Sequence, residues 1–270
     1  MRLTAECRLS AALIVFNEED RLRRCLDSIC EWVDEIVVFD SFSTDTTQQI
    51  CASYPNIHFY QHVFDGHVEQ KNRALDACSG EWVLCLDADE EVSVDLKQAI
   101  LHFLESDSEA SGADFPRLTS HSGAWIKHGG WYPNRRPRLV KRGCGHWGGE
   151  NPHDRLIVSG QVEHLQGDLR HHSFADLAAQ VATVNQFSSV AALMRYRGGR
   201  RFSFFRAVSV PVWKFLEIFV IKRGFLDGMR GLSIAISSSY SAYLKEAKLY
   251  ELDQLGLDKP SNLDSRYSSE

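Results

Sequence analysis

The chain has 270 residues, 44% hydrophobic and 24% charged, with a formal net charge of −6. That is ample apolar material for one large α/β domain or a domain with an appendage, and it excludes general disorder. Seven cysteines, an odd number without a CxxC pair, point to buried free thiols in a reducing compartment rather than to a disulfide scaffold or zinc ribbon.

Glu6 and Arg8 interrupt the amino terminus and no small-residue cleavage site follows, so no secretory signal is expected. No run reaches the roughly 18 to 20 uninterrupted apolar residues of a bilayer span. The first hundred residues alternate strand and helix signals, the mark of a mostly parallel sheet. Leu9 to Phe16 reads as a strand ending in Asn17-Glu18-Glu19, and Leu22, Leu26, Ile29 and Val33 recur at helical spacing. Glu35 to Phe39 is a second strand ending at Asp40. Ser41 to Asp45 supplies caps for a helix through about Ser53. Ile57 to Phe64 predicts a third strand, Val68 to Cys78 a helix, and Trp82 to Leu86 a fourth strand ending in Asp87-Ala88-Asp89. Val94, Ile100, Leu101 and Leu104 mark the next helix. From Gly112 to His172 short strands rich in Gly, Trp, His and Arg are expected, and then helices near 175–196, 204–221 and 226–252.

In open α/β sheets ligands bind at the carboxyl ends of strands, and three of these four strands end in acidic or amide residues. Asp87 and Asp89 alternate along a strand end, so both side chains can point to the same face, where two carboxylates suit Mg2+ or Mn2+. The other reading makes Asp89, Glu90 and Glu91 the acidic first turn of the following helix. Asp40 has the chemistry to accept the imide N–H of uracil, or it is an Asx-turn residue. Lys71 faces a diphosphate or is a solvated helix lysine.

The stretches LIVFNEE, VVFDSFSTDTT, QKNRAL and LCLDADEE, in that order over about the first 105 residues, strongly resemble the donor half of glycosyltransferase family 2. The resemblance implies the α/β nucleotide-sugar-binding fold called GT-A and an enzyme using a UDP-sugar with a divalent metal. It places Phe16 and Glu18 beside the base, Asp40 on uracil and Lys71 near the donor. Asp87 would meet the ribose or metal-bound water, and Asp89 the metal. RRPRLVKR, GGENPHDRLIVSG, LQGDLRHHSF and IKRGFLDGMRGL resemble a narrower bacterial subgroup, the lipopolysaccharide inner-core β-glucosyltransferase-like proteins. Where that subgroup has His-Glu, this chain has His153-Asp154. The implied activity is inverting transfer of a hexose, glucose first, to a hydroxyl of a glycolipid.

An acceptor hydroxyl must lose its proton as it attacks, which needs a positioned carboxylate. Asp154 is the expected base, with Glu150 as competitor; a surface ion pair of Asp154 with Arg155 or Arg138 is the plain alternative. His171, beside His172, is a candidate third metal ligand or diphosphate contact. Arg135, Arg136 and Arg138 are candidates to hold anionic groups of the acceptor, or are simply solvated, and His153 is a further acceptor candidate. Two other readings are transfer to a polyprenyl phosphate and an inactive membrane-associated binding protein. A nucleotidyltransferase is disfavoured, because no glycine follows the first strand.

The expected organisation is a catalytic domain over 1–174 (donor half 1–105, acceptor side 106–174), a helical basic region over 175–258 and a flexible tail over 259–270. Between Leu177 and Leu216 there is no acid, while five arginines and Lys214 give +6; the rest of the chain must carry −12 to total −6. Interleaved with Phe202, Phe204 and Phe205, this suits a helix in an anionic membrane interface, or one packed on protein. A cytoplasmic protein peripheral to the inner membrane face is expected, with no nucleic-acid partner.

Overall fold

A computed structural model describes residues 8–106, 108–149, 154–174 and 176–255. The expectations for Glu150, His153 and the 259–270 tail lie outside these residues. In chain order the strands are β1 (Leu9–Val15), β2 (Glu35–Asp40), β3 (Ile57–Gln61), β4 (Trp82–Asp87), β5 (Glu90–Val92), β6 (Gly112–His121), β7 (Ala124–Trp125), β8 (Asn134–Lys141), β9 (Gly145–Gly148), β10 (Arg155–Val158), β11 (Val162–His164) and β12 (Leu169–Phe174). The helices are α1 (Leu22–Ile29), α2 (Thr47–Ala52), α3 (His67–Asp76), α4 (Val94–Glu105), α5 (Leu177–Arg197), α6 (Phe204–Leu216) and α7 (Gly228–Leu255).

The chain forms two compact units: residues up to Leu118 with Asn134–His172, and Thr119–Pro133 with the chain from Ser173 onward. The excursion 119–133 therefore groups with the helical region instead of the acceptor side.

In the first unit the sheet runs β3-β2-β1-β4-β8-β6-β12-β5, with β11 beside β6. β1 to β4 are mutually parallel, and β8 joins β4 antiparallel. Strand alternation sends Leu9, Ala11, Leu13 and Val15 of β1 to one face, against Leu22, Leu26 and Ile29 of α1 and Leu96 and Ile100 of α4. Ala12 and Ile14 point the other way, toward Ala74, Leu75 and Cys78 at α3. Each fully buried Leu or Ile contributes about 1.5–3 kcal/mol of burial free energy. β3 stops at Gln61, short of the expected Phe64, because its neighbour β2 ends at Asp40, the partner of Gln61. The six described cysteines are free; burial pushes the Cys51 and Cys85 thiols up to about 12, which makes them inert.

The second unit is built on α5, α6 and α7. Asp176 caps α5 by accepting from the Ala179 N–H at 2.8 Å. α6 ends at Leu216 and passes into a π-helical turn over Glu217–Ile221, so the expected helix 204–221 is two pieces. At Gly231, in the first turn of α7, a Cβ would sit 1.8 Å from the Gly224 carbonyl oxygen, so only glycine fits there. Among the described residues no helix is long and apolar enough to cross a membrane.

Candidate active site

The parallel register puts Val15 beside Asp40 and Ile14 beside Asp87, so the loops after β1, β2 and β4 emerge together. Asn17 (φ 52°) and Phe42 (φ 64°) both take the left-handed conformation immediately after β1 and β2. Those turns lock the loops to each other. The Asn17 N–H donates to Ser43 Oγ at 2.9 Å and the Thr44 N–H to Asn17 Oδ1 at 2.8 Å. The Glu18 N–H donates to Thr47 Oγ1 at 2.8 Å, and Phe16 is left exposed.

Asp40 is fully buried. Its carboxylate accepts from the Ser43 N–H and hydroxyl and from Gln61 Nε2 at 3.0 Å. A ligand N–H therefore reaches Asp40 only if Ser43 or Gln61 gives way, a condition the sequence did not reveal. Glu18 is half-buried, and burial raises its carboxyl to about 7; Arg21 at 3.8 Å opposes this, while Asp89, Asp45 and Asp87 add to it. Negative charge is thus short of counterions at this end of the site.

Asp87 and Asp89 have different side-chain partners. Asp87 closes β4 and Asp89 lies in the turn beyond, so strand alternation does not carry both to one face. Asp87 Oδ1 lies 2.8 Å from Lys71 Nζ, and Oδ2 lies 2.6 Å from Arg138 and 4.0 Å from Arg117. Burial works against its charge, but Arg138 and Lys71 hold it well below the usual carboxylate range. Asp89 Oδ2 instead lies 3.1 Å from His171 Nε2. Among the described residues no three metal-ligating side chains converge, so the expected set of Asp87, Asp89 and His171 is not assembled. A carboxylate and an imidazole side by side, with the under-neutralised Glu18 acting on Asp89, do fit a divalent cation that takes its remaining ligands from a substrate.

Glu90 also departs from expectation. It belongs to β5, not to a helical first turn, and β12 pairs with it from the far end of the unit. Its buried carboxylate accepts from the Asp87 N–H at 3.0 Å, Arg117 Nε at 2.7 Å and Arg138 at 2.9 Å. The acceptor side is organised around Lys71. Its ammonium lies 2.8 Å from Asp154 Oδ2 and 4.3 Å above the Trp147 ring, so Asp154 pairs with Lys71 and not with Arg155 or Arg138. Burial opposes the charge on Lys71, yet Asp87 and Asp154 raise its pKa above the ordinary value. Asn72 fixes Trp147 by donating to its carbonyl at 2.9 Å and accepting its N–H at 2.8 Å.

Two of the three candidate acceptor arginines are engaged internally. Arg138 is buried on Asp87 and Glu90; Arg135 lies 2.9 Å from Asp114. Arg136 is exposed, with only Asn134 Oδ1 at 3.3 Å. Lys71, Asp87, Arg138, Trp147 and Asp154 share a cleft of about 600 Å³. Sequence reasoning missed Arg117, Glu90 and Trp147. An arginine amid the apolar run Phe115-Pro116-Arg117-Leu118 was the available signal.

The family model described as glycosyl transferase family 2 matches residues 10–157, more than half of the chain. The chain belongs to glycosyltransferase family 2. Its fold is the GT-A architecture, a mixed sheet with a mostly parallel part, followed by a helical carboxy-terminal region. This family 2 enzyme is 29% identical to the lipopolysaccharide core biosynthesis glycosyltransferase LpsC of Rhizobium meliloti, over 90% of this chain and 92% of LpsC. It is 28% identical to an uncharacterized glycosyltransferase, RT0209, of Rickettsia typhi, over 91% of this chain and 87% of that one. Among solved structures, S. aureus TarS 1–349 in complex with UDP aligns over 92% of each chain at 13% identity with a TM-score of 0.48.

Proposed function

We propose that this glycosyltransferase transfers a hexose, glucose first, from a UDP-sugar to a hydroxyl of a glycolipid of the lipopolysaccharide-core type, with inversion. The observation that carries this reading is one ammonium, Lys71, held 2.8 Å from Asp87 at the end of β4 and 2.8 Å from Asp154 across the cleft. A donor bound over the ends of β1, β2 and β4 would put its diphosphate near Lys71, with Phe16 and Glu18 toward the base and Asp40 holding the base loop through Ser43. Asp154 then faces the acceptor. The acceptor hydroxyl gives its proton to Asp154 as its oxygen bonds to the anomeric carbon. The bond from that carbon to the diphosphate oxygen breaks, and UDP leaves with the electron pair. Lys71 supplies positive charge to the departing diphosphate, which loosens its hold on Asp154 and strengthens that carboxylate as a base. Asp89 and His171 are the residues to hold Mg2+ or Mn2+, which would neutralise diphosphate charge.

The exposed apolar surface of the second unit extends the proposal to the anionic face of a membrane, where a glycolipid acceptor resides. Phe204, Phe205, Val208, Val212 and Trp213 are all exposed, and no residue of α6 is buried.

Melting temperatures measured with nucleotide sugars test the donor assignment. UDP-glucose with Mn2+ is expected to raise the melting temperature by several degrees and GDP-mannose to leave it unchanged, while Asp89→Ala removes the Mn2+-dependent part. An equal response to GDP-mannose would overturn the uridine reading, and an unaltered Mn2+ effect in Asp89→Ala would overturn the metal assignment.

A further inference from the structure

Among the described residues, the cleft beside Asp154 holds more positive charge than the carboxylates around it neutralise. Lys71, Arg117, Arg135, Arg136, Arg138 and Arg155 all line it. Four carboxylates answer them. Asp87 and Asp154 take Lys71, Asp87 and Glu90 take Arg138, Glu90 takes Arg117, and Asp114 takes Arg135. Among the described residues six cations against four anions leave a surplus of two, and two guanidiniums stand outside the ion pairs. Arg136 touches only Asn134 Oδ1, at 3.3 Å, and Arg155 extends from the first residue of β10 with its side chain in no ion pair. Both residues are exposed while lining the cleft.

Position in the sheet separates this surplus from the nucleotide end. Phe16, Glu18 and Asp40 follow or close β1 and β2 on one side of β4, while β8 and β6, which carry Arg136 and Arg117, lie on the other. None of Phe16, Glu18 and Asp40 lines the cleft. A neutral sugar hydroxyl does not account for two unpaired guanidiniums beside a base. An anionic group does, because a guanidinium fork binds the oxygens of a phosphate or carboxylate in pairs.

We propose that the acceptor carries a phosphate or carboxylate close to its reacting hydroxyl, and that Arg136 and Arg155 receive that group. The inference rests on the reading above that Asp154 marks the acceptor side. Of the three arginines expected to hold anionic groups it keeps Arg136, sets aside Arg135 and Arg138, which are consumed in internal pairs, and adds Arg155.

The test uses the full chain saturated with UDP and four probes: mannose 6-phosphate, galacturonate, and their uncharged parents mannose and galactose. Calorimetric or thermal-shift titration is expected to show at least one charged sugar binding ten-fold or more tightly than its parent, with an advantage that shrinks as salt rises. Which charged probe responds identifies phosphate or carboxylate. Arg136→Gln and Arg155→Gln should each weaken that binding about five-fold and together abolish the advantage, with UDP affinity unchanged. Because both side chains are exposed, the variants are expected to melt with the parent, which confirms that they fold. Equal binding of charged and neutral sugars would overturn the proposal. So would variants that weaken UDP and spare the charged sugar, since the two arginines would then serve the donor diphosphate. Failure of the unmodified chain to bind UDP is a separate outcome: it removes the donor assignment, while the charged-sugar preference, measured without nucleotide, still decides the anion subsite.

Discussion

Lys71 stands as a buried ammonium between two carboxylates, 2.8 Å from Asp87 and 2.8 Å from Asp154, so neither carboxylate is without a partner. Replacing Asp154 by Asn removes the proposed proton acceptor while keeping the shape. Transfer should fall by about 100-fold or more in kcat, with UDP binding retained. Steady-state assays together with a UDP titration check this, and activity that survives the change points to an acceptor oxygen already ionised, as in a polyprenyl phosphate. Glu18 yields a second prediction at this scale. Its carboxyl titrates near 7 in the folded chain against an ordinary value of 4.5, chiefly through burial. Between those values the folded state keeps a proton the unfolded state has lost, so stability falls as pH rises through that window and then levels off. The loss is on the order of 1–3 kcal/mol, moderated by the quarter of the side chain that is exposed. Urea denaturation at pH 5 and pH 8 should register the decline in the parent and its absence in Glu18→Gln.

At the scale of elements, the periodic helices were legible because apolar residues at 3.6-residue spacing announce them wherever they pack: Leu22, Leu26 and Ile29 of α1 are all fully buried. β5 was not legible. Three residues, Glu90-Glu91-Val92, look like an acidic helix start until β12 supplies Leu169–His171 as antiparallel partners. That pairing turns Glu90 inward to bind Arg117 and Arg138, and it brings His171 to Asp89. Arg138 is therefore a structural member of the site. Arg138→Met takes from Asp87 and Glu90 the buried cation that lies within 2.9 Å of both and should destabilise the protein by about 3 kcal/mol in urea denaturation. A destabilisation below about 1 kcal/mol would show that the carboxylates find other partners.

For the molecule as a whole, folding brings acids from outside the basic segment 177–216 onto much of its positive charge. Glu246, 2% exposed, gathers Arg195, Arg200 and Arg206 at 3.7, 3.8 and 3.4 Å, and Asp253 holds Arg201 at 3.4 Å. Glu217 is bridged by Lys214 and Lys222, which hold its carboxyl at about 2. Among the described residues Arg223 and Arg230 stand outside these ion pairs, and Trp213 is 58% exposed. Trp213→Glu combined with Phe205→Glu should lower co-sedimentation with anionic phosphatidylglycerol vesicles by ten-fold or more while sparing UDP binding. Unchanged co-sedimentation would mean that another surface meets the lipid.

The sequence by itself determined the family, the alternation of strand and helix that marks a mostly parallel sheet, and which acidic residues end the strands, because these follow from local periodicity and contiguous motifs. Tertiary structure alone decided the partners. Whether Asp87 faces a metal or an arginine, whether Asp154 meets Arg155 or Lys71, and which arginines keep their charge all depend on strands and loops tens of residues apart. Charge pairing is fixed by distance in space, which no local pattern records.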